Sequence, residues 1–178
     1  MEIIKTNIDE ILKIKLDIFI DDRGFFLERF NYKKFQDLGL PTNFVQDNHS
    51  LSRPRVLRGL HYQENPSQGK LVGCLTGKIQ DVAVDIRPTS HTYKKYVSVE
   101  LSAENGELLW IPQGFAHGFC VLGNEPANVI YKTDNLYNPT GDRGVIYNDP
   151  DLKINWKVDN PILSEKDLKL PQLAEIIS

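Results

Sequence analysis

The chain is poor in the residue types that most often announce a cofactor or a compartment. In 178 residues it has two cysteines, one methionine, two tryptophans and four histidines. Cys74 and Cys120 stand apart inside apolar, strand-like segments. They make no zinc spacing, and a pair of buried reduced thiols is expected. No run of apolar residues approaches the length of a membrane span. Residues 1–11 alternate acid, base and apolar side chains and lack the apolar core of a secretory signal. A surplus of positive charge is also missing. The formal net charge is −3, which gives no global attraction to nucleic acid or to an anionic membrane. No glycine-rich dinucleotide fingerprint follows a strand. These absences point to a cytoplasmic protein with no nucleic-acid or membrane partner.

What is present is a globular composition, 40% hydrophobic and 25% charged, without repeat, linker or low-complexity segment. One domain over residues 1–178 is expected. Period-two alternation dominates. Leu12, Ile14, Leu16, Ile18 and Ile20 alternate with Lys13, Lys15 and Asp17, which reads as one half-buried strand. Val82, Val84 and Ile86 alternate with Asp81, Ala83 and Asp85, and Val97, Val99 and Leu101 with Ser98 and Glu100. Further strands are expected over 25–30, 44–48, 56–62, 71–76, 107–111, 115–122 and 127–133, separated by turns such as Asp22-Arg23-Gly24 and Glu104-Asn105-Gly106. Asn31 is placed to cap a short helix ending near Gly39, and short helices are expected near Ser164 and Gln172. Many short antiparallel strands with few helices predict an all-β sandwich or jelly roll.

The chemistry concentrates in Arg58-Gly59-Leu60-His61-Tyr62-Gln63, followed closely by Lys70. A second histidine lies in Phe115-Ala116-His117-Gly118-Phe119. Two histidines in apolar strands, each near glycine, can face one pocket. A base of near-neutral pKa beside fixed cations suits removal of a proton next to a carbonyl. Metal binding is the competing reading. His61 and Gln63 share a strand face, but His-x-Gln is a weaker ligand pattern than His-x-His, and Lys70 adds a repelling cation, so no metal is expected.

Other residues carry two readings each. Arg23 and Arg58 precede glycine at strand edges, where a guanidinium fork can be merely solvated or can meet phosphate. Glu28 can pair with a nearby base. Gln46-Asp47-Asn48 is a turn or a set of hydrogen-bonding groups for a sugar or base. Tyr131 is strand packing or a phenol that donates a proton into a pocket. Tyr137, in a turn-like run before Pro139, offers a ring for stacking. Asp167, three residues after Ser164, fits a helix-capping pattern or a carboxylate that orients an imidazole.

Taken in order, these segments resemble the dTDP-4-dehydrorhamnose 3,5-epimerase family of nucleotide-sugar epimerases. The resemblance runs from about residue 22 to 171, through 22–28, 46–50, 58–63, 68–71, 81–87, 111–119, 131–133, 148–150 and 163–167. It implies a cupin-like double-stranded β-helix jelly roll that uses no metal and no cofactor and acts as a homodimer on a dTDP-sugar. It implies His61 as general base paired with Asp167, and Tyr131 as general acid on the opposite face. Lys70 would stabilise an enolate oxygen, with His117 close to the sugar. Arg23, Glu28, Gln46, Asp47, Asn48, Arg58 and Lys166 would hold the nucleotide diphosphate, some from across the dimer, with Tyr137 stacked on thymine. The chain departs from the family pattern at Asp142, where glutamate is frequent, at Tyr147, where tryptophan is common, and at His49. The implied reaction inverts C3 and C5 of dTDP-4-dehydro-6-deoxy-D-glucose. Rival readings are epimerisation at one carbon, action on another 4-keto nucleotide sugar, a metal-dependent cupin, and a sugar-binding jelly roll without catalysis.

Overall fold

The computed structural model describes residues 1–176. The strands are β1 Glu2–Lys5, β2 Leu12–Lys15, β3 Ile18–Asp21, β4 Gly24–Leu27, β5 Gln46–Ser52, β6 Leu57–Gln63, β7 Lys70–Thr76, β8 Lys78–Asp85, β9 Tyr96–Ser102, β10 Glu107–Ile111, β11 Phe115–Val121, β12 Ala127–Thr133 and β13 Asp142–Gly144. Three short helices join them: α1 Tyr32–Asp37, α2 Glu165–Leu168 and α3 Leu173–Ile176. A six-stranded sheet in the order β1-β2-β10-β7-β12-β5 faces a five-stranded sheet in the order β13-β6-β11-β8-β9. The paired strands of both are antiparallel. This is the jelly roll that the alternation predicts.

The inner faces meet in a core built from Val72, Leu109, Ile111 and Val129 on one sheet and Ala83, Val97, Phe115 and Phe119 on the other. Part of each outer face is covered too. Leu60, Tyr62, Val82 and Val84 pack under Val145, Leu152 and Leu173 of the C-terminal part. Ile14, Leu71, Leu108 and Trp110 pack under Phe35 of α1 and Leu40. Phe35 is fully buried, which contributes roughly 2–3 kcal/mol by area. Burial on both faces makes β11 buried along its whole length and β8 nearly so.

The helix caps follow the sequence. The Asn31 side chain accepts a hydrogen bond from Lys34 N–H at 3.1 Å, and Ser164 Oγ accepts one from Asp167 N–H at 3.1 Å.

The strand expected over 12–20 is two strands. β2 pairs with β10 only as far as Lys15, and Asp17 then takes the N-terminal ammonium at 2.7 Å. Ile18 and Ile20 therefore belong to a separate hairpin, β3–β4, which carries Phe19, Ile20, Phe25 and Phe26 into solvent. The strand expected over 25–30 stops at Leu27. Two short strands, β1 and β13, carry no clear alternation and were not expected. Asp81 and Asp85, which alternate with valines, are fully buried. Asp85 is held by Arg87, Ser90 and Thr92.

Candidate active site

The site begins with two glycines. β6 and β11 cross so closely that a Cβ on Gly59 would lie 2.6 Å from Gly118 Cα, and one on Gly118 would lie 2.8 Å from Arg58 O. Gly59 also has φ +126°, outside the range of ordinary side chains. The close approach sets His61 directly opposite His117 in the ladder, next to a register shift.

Each imidazole has its own carboxylate. His61 Nε2 lies 2.6 Å from Asp167 Oδ1. His117 Nε2 lies 2.9 Å from Asp81 Oδ2 and 3.0 Å from Oδ1. With an acceptor on Nε2, the proton of neutral His61 sits there, and Nδ1 keeps the free lone pair of a base. Burial pushes the Asp167 carboxyl up, but the hydrogen bond and charge of His61, with Ser164 and the Gly59 backbone, bring it net below the usual range. Asp167 thus stays ionised behind the ring. The Ser164 cap and the His61 contact coexist: the backbone N–H of Asp167 serves the helix end and its carboxylate serves the imidazole.

The opposing sheet supplies the other wall. Lys70, at the start of β7, is buried, and its Nζ donates to His61 O at 3.2 Å. Burial pushes its ammonium down to about 8, against the raising fields of Asp81 and Asp142. A lysine so placed is a buried cation on the wall of the cleft at neutral pH. Tyr131 on β12 sits across from Asn48 on β5. Burial raises the Tyr131 phenol above its ordinary value, with Arg58 opposing in part, so it keeps its proton. The cleft between these walls is about 350 Å³.

At the mouth, Tyr137 O–H donates to Asp142 Oδ2 at 3.0 Å, and Lys166 Nζ pairs with the same oxygen. Burial raises the Asp142 carboxyl, and Lys166 and Tyr137 together outweigh that and lower it. Arg58 reaches the cleft while its Nε donates to Ser52 Oγ at 2.9 Å.

The structure therefore brings His61, Lys70, His117, Tyr131, Asn48, Arg58, Tyr137, Asp142 and Lys166 to one cleft, with Asp167 behind His61. Four further expected residues lie outside its lining. Arg23 sits at the exposed tip of β3–β4, paired with Asp21, and Glu28 pairs with Lys34. Asp47 points outward and pairs with Lys132. Gln46 acts indirectly: its side chain donates to Asn48 Oδ1 at 2.9 Å and accepts Tyr137 N–H at 2.8 Å. Residues that sequence reasoning missed include Asp81, Phe119 and Ser50, whose buried hydroxyl has no hydrogen-bond partner among the described residues. The signal for Asp81 was an acid on the core-facing side of a strand, in phase with Ala83.

Among the described residues, no three His, Cys, Asp or Glu side chains converge as metal ligands would. Cys74 and Cys120 are free and buried, and burial pushes each thiol up to about 11. Among the described residues no helix is long and apolar enough to cross a membrane.

Residues 5–175 match the family model for dTDP-4-dehydrorhamnose 3,5-epimerase. A dTDP-4-dehydrorhamnose 3,5-epimerase of Shigella flexneri is 54% identical, over 94% of this chain and 93% of that one. A crystal structure of the dTDP-6-deoxy-D-glucose-3,5-epimerase of Legionella pneumophila, in complex with dTDP-4-keto-L-rhamnose, superposes with a TM-score of 0.94 at 47% identity, covering 98% of this chain and 94% of that one. A 3′-monoepimerase of Streptomyces bikiniensis, in complex with dTDP-quinovose, superposes with a TM-score of 0.88 at 32% identity, covering 96% and 87% of the two chains.

Proposed function

The chain belongs to the dTDP-4-dehydrorhamnose 3,5-epimerase family of isomerases, and on that premise we propose that its cleft converts dTDP-4-dehydro-6-deoxy-D-glucose to dTDP-4-dehydro-L-rhamnose. One observation supports the mechanism: His61 and Tyr131 stand on opposing sheets, with a buried ammonium at the same cleft. His61 Nδ1 removes the proton from a carbon next to the C4 ketone. The electron pair moves onto the ketone oxygen as an enolate, and Lys70 stabilises that charge. A cation fixed by burial needs little reorganisation as the charge forms, so this is the largest single contribution. Tyr131 returns a proton to the same carbon from the other face. The chemistry is redox-neutral, and each proton has a side chain to carry it.

Arg58, Asn48 and Lys166 hold the diphosphate and sugar, and Tyr137 stacks on the thymine. The exposed hairpin β3–β4 supports a homodimer. Its apolar side chains, Phe19, Ile20, Phe25 and Phe26, are 58–81% exposed, and its tip holds Arg23, which misses its own cleft. A second copy of the chain seats the hairpin and receives Arg23 and Glu28. The chain works as one domain in the cytoplasm.

Proton NMR of dTDP-4-dehydro-6-deoxy-D-glucose with the protein in deuterium oxide tests the reading. Deuterium at both C3 and C5 with formation of the L-sugar is the expected result. Deuterium at C3 alone identifies a one-carbon enzyme like the Streptomyces bikiniensis relative. No exchange overturns catalysis on this substrate.

A further inference from the structure

We propose that Gln63 is a positioning residue that presents the Tyr137 ring to the nucleotide. The inference rests on the reading that Tyr137 stacks on the base. Tyr137 rides on the loop 134–140, which lies between β12 and β13. This loop cannot hold itself by packing, because Leu136 is 64% exposed and Tyr137 is 55% exposed. Something else must fix it, and buried amide side chains do.

Gln63, at the end of the strand that carries His61, is 5% exposed. Its Nε2 donates to Leu136 O at 3.1 Å and to Pro66 O at 2.7 Å. Its Oε1 accepts Asn138 N–H at 2.8 Å. Tyr137 is thus bracketed on both sides by one side chain. Gln46 completes the bracket by accepting Tyr137 N–H. Only an amide fits this place. It needs two donors for two carbonyls and one acceptor for an N–H, and glutamine alone supplies both on a side chain of this length. A loop held in its bound shape gives up less conformational freedom on binding. Gln63 therefore acts on affinity for the nucleotide and not on proton transfer, although it shares a strand with the base.

The experiment measures dTDP affinity by calorimetry, and kcat and KM for the dTDP-sugar, in Gln63→Met, Gln63→Glu, Tyr137→Ala and Gln63→Met/Tyr137→Ala. Methionine keeps the length and loses all three bonds. Glutamate keeps the acceptor toward Asn138 but faces two carbonyls with oxygen, and it serves if the methionine variant does not fold. The expected result is a rise of roughly ten-fold in Kd and KM for Gln63→Met, with kcat within about two-fold, and a double variant no weaker than Tyr137→Ala alone. Unchanged dTDP affinity in Gln63→Met, effects that add fully in the double variant, or a loss confined to kcat overturns the proposal while leaving the stacking reading intact. Unchanged affinity in Tyr137→Ala overturns the stacking reading and the proposal with it.

Discussion

His61 and His117 stand directly opposite each other across the β6–β11 ladder, and each is gripped from behind by its own buried carboxylate. The two imidazoles differ in access. The His61 side chain is 33% exposed and the His117 side chain 8%. A base that hands its proton to water must reach water, which favours His61 over His117 for the exchanging role proposed above.

Replacing Asp167 by Asn follows from that grip. The amide offers a donor where Nε2 carries its proton, which favours the tautomer with Nδ1 protonated and removes the free lone pair. The turnover rate should fall about 100-fold or more, in the range of a lost general base, with the fold kept. His61→Asn should remove deuterium incorporation altogether. NMR in deuterium oxide reads both; near-normal exchange in His61→Asn would remove His61 from the base role, and near-normal exchange in Asp167→Asn would show that Asp167 does not set its tautomer.

The alkaline limb should follow Lys70. Its cationic form is the one that stabilises an enolate, and burial brings its loss down to about pH 8. Above that pH, kcat/KM should decline as the ammonium deprotonates. Tyr131 does not compete for this assignment, because burial moves its phenol above its ordinary value. Asp81 raises the Lys70 value, so Asp81→Asn should shift the limb to lower pH. A pH profile flat to pH 10 would show that Lys70 does not titrate in the reaction.

If Tyr131 is the acid, Tyr131→Phe removes it and leaves the base. Exchange at carbon should continue, since His61 can return the proton it took from the same face, while inversion fails at one or both centres. Comparing deuterium content with product configuration separates the two events, and full inversion in this variant would place the acid elsewhere.

Much of this was legible in the chain. The helix caps at Asn31 and Ser164, the strands over 107–111 and 127–133, and the meeting of His61, Lys70 and His117 follow from local pattern, while Tyr131 joined them only through the resemblance. What failed did so for a common reason. Period-two alternation reports that a strand has two faces, not what covers each. Ile18 and Ile20 continue the pattern of Ile14 and Leu16, yet they leave the sheet for a separate hairpin, where Ile20 is exposed to solvent. Asp81 and Asp85 continue a polar phase, yet lie in the interior because His117 and Arg87 meet them there. Arg23 and Glu28 come from the resemblance, which has some of the nucleotide contacts reach across a dimer, and a single chain keeps both outside its own cleft.

Gly118→Ala tests the strand crossing. The new Cβ would lie 2.8 Å from Arg58 O and 3.1 Å from Leu60 Cδ2. Backbone cannot yield as a flexible side-chain end can, so the loss in stability should be about 1–3 kcal/mol, and the opposition of His61 and His117 should suffer with it. Thermal melting and kcat together read this. A variant with unchanged melting and unchanged turnover would show that the ladder tolerates separation there.

The hairpin makes the sharpest prediction about assembly. If Arg23 serves the neighbouring cleft, a subunit bearing Arg23→Ala still has an intact cleft of its own, and a subunit bearing Lys70→Ala still has an intact hairpin. Unfolding and refolding the two together gives a heterodimer with one cleft that has both its Lys70 and a partner's hairpin, and one that has neither. With random pairing, half of the dimers are mixed and each has one good cleft, so activity should return to about a quarter of the wild-type value. If the hairpin served its own chain, every cleft in the mixture would carry one defect and nothing would be regained.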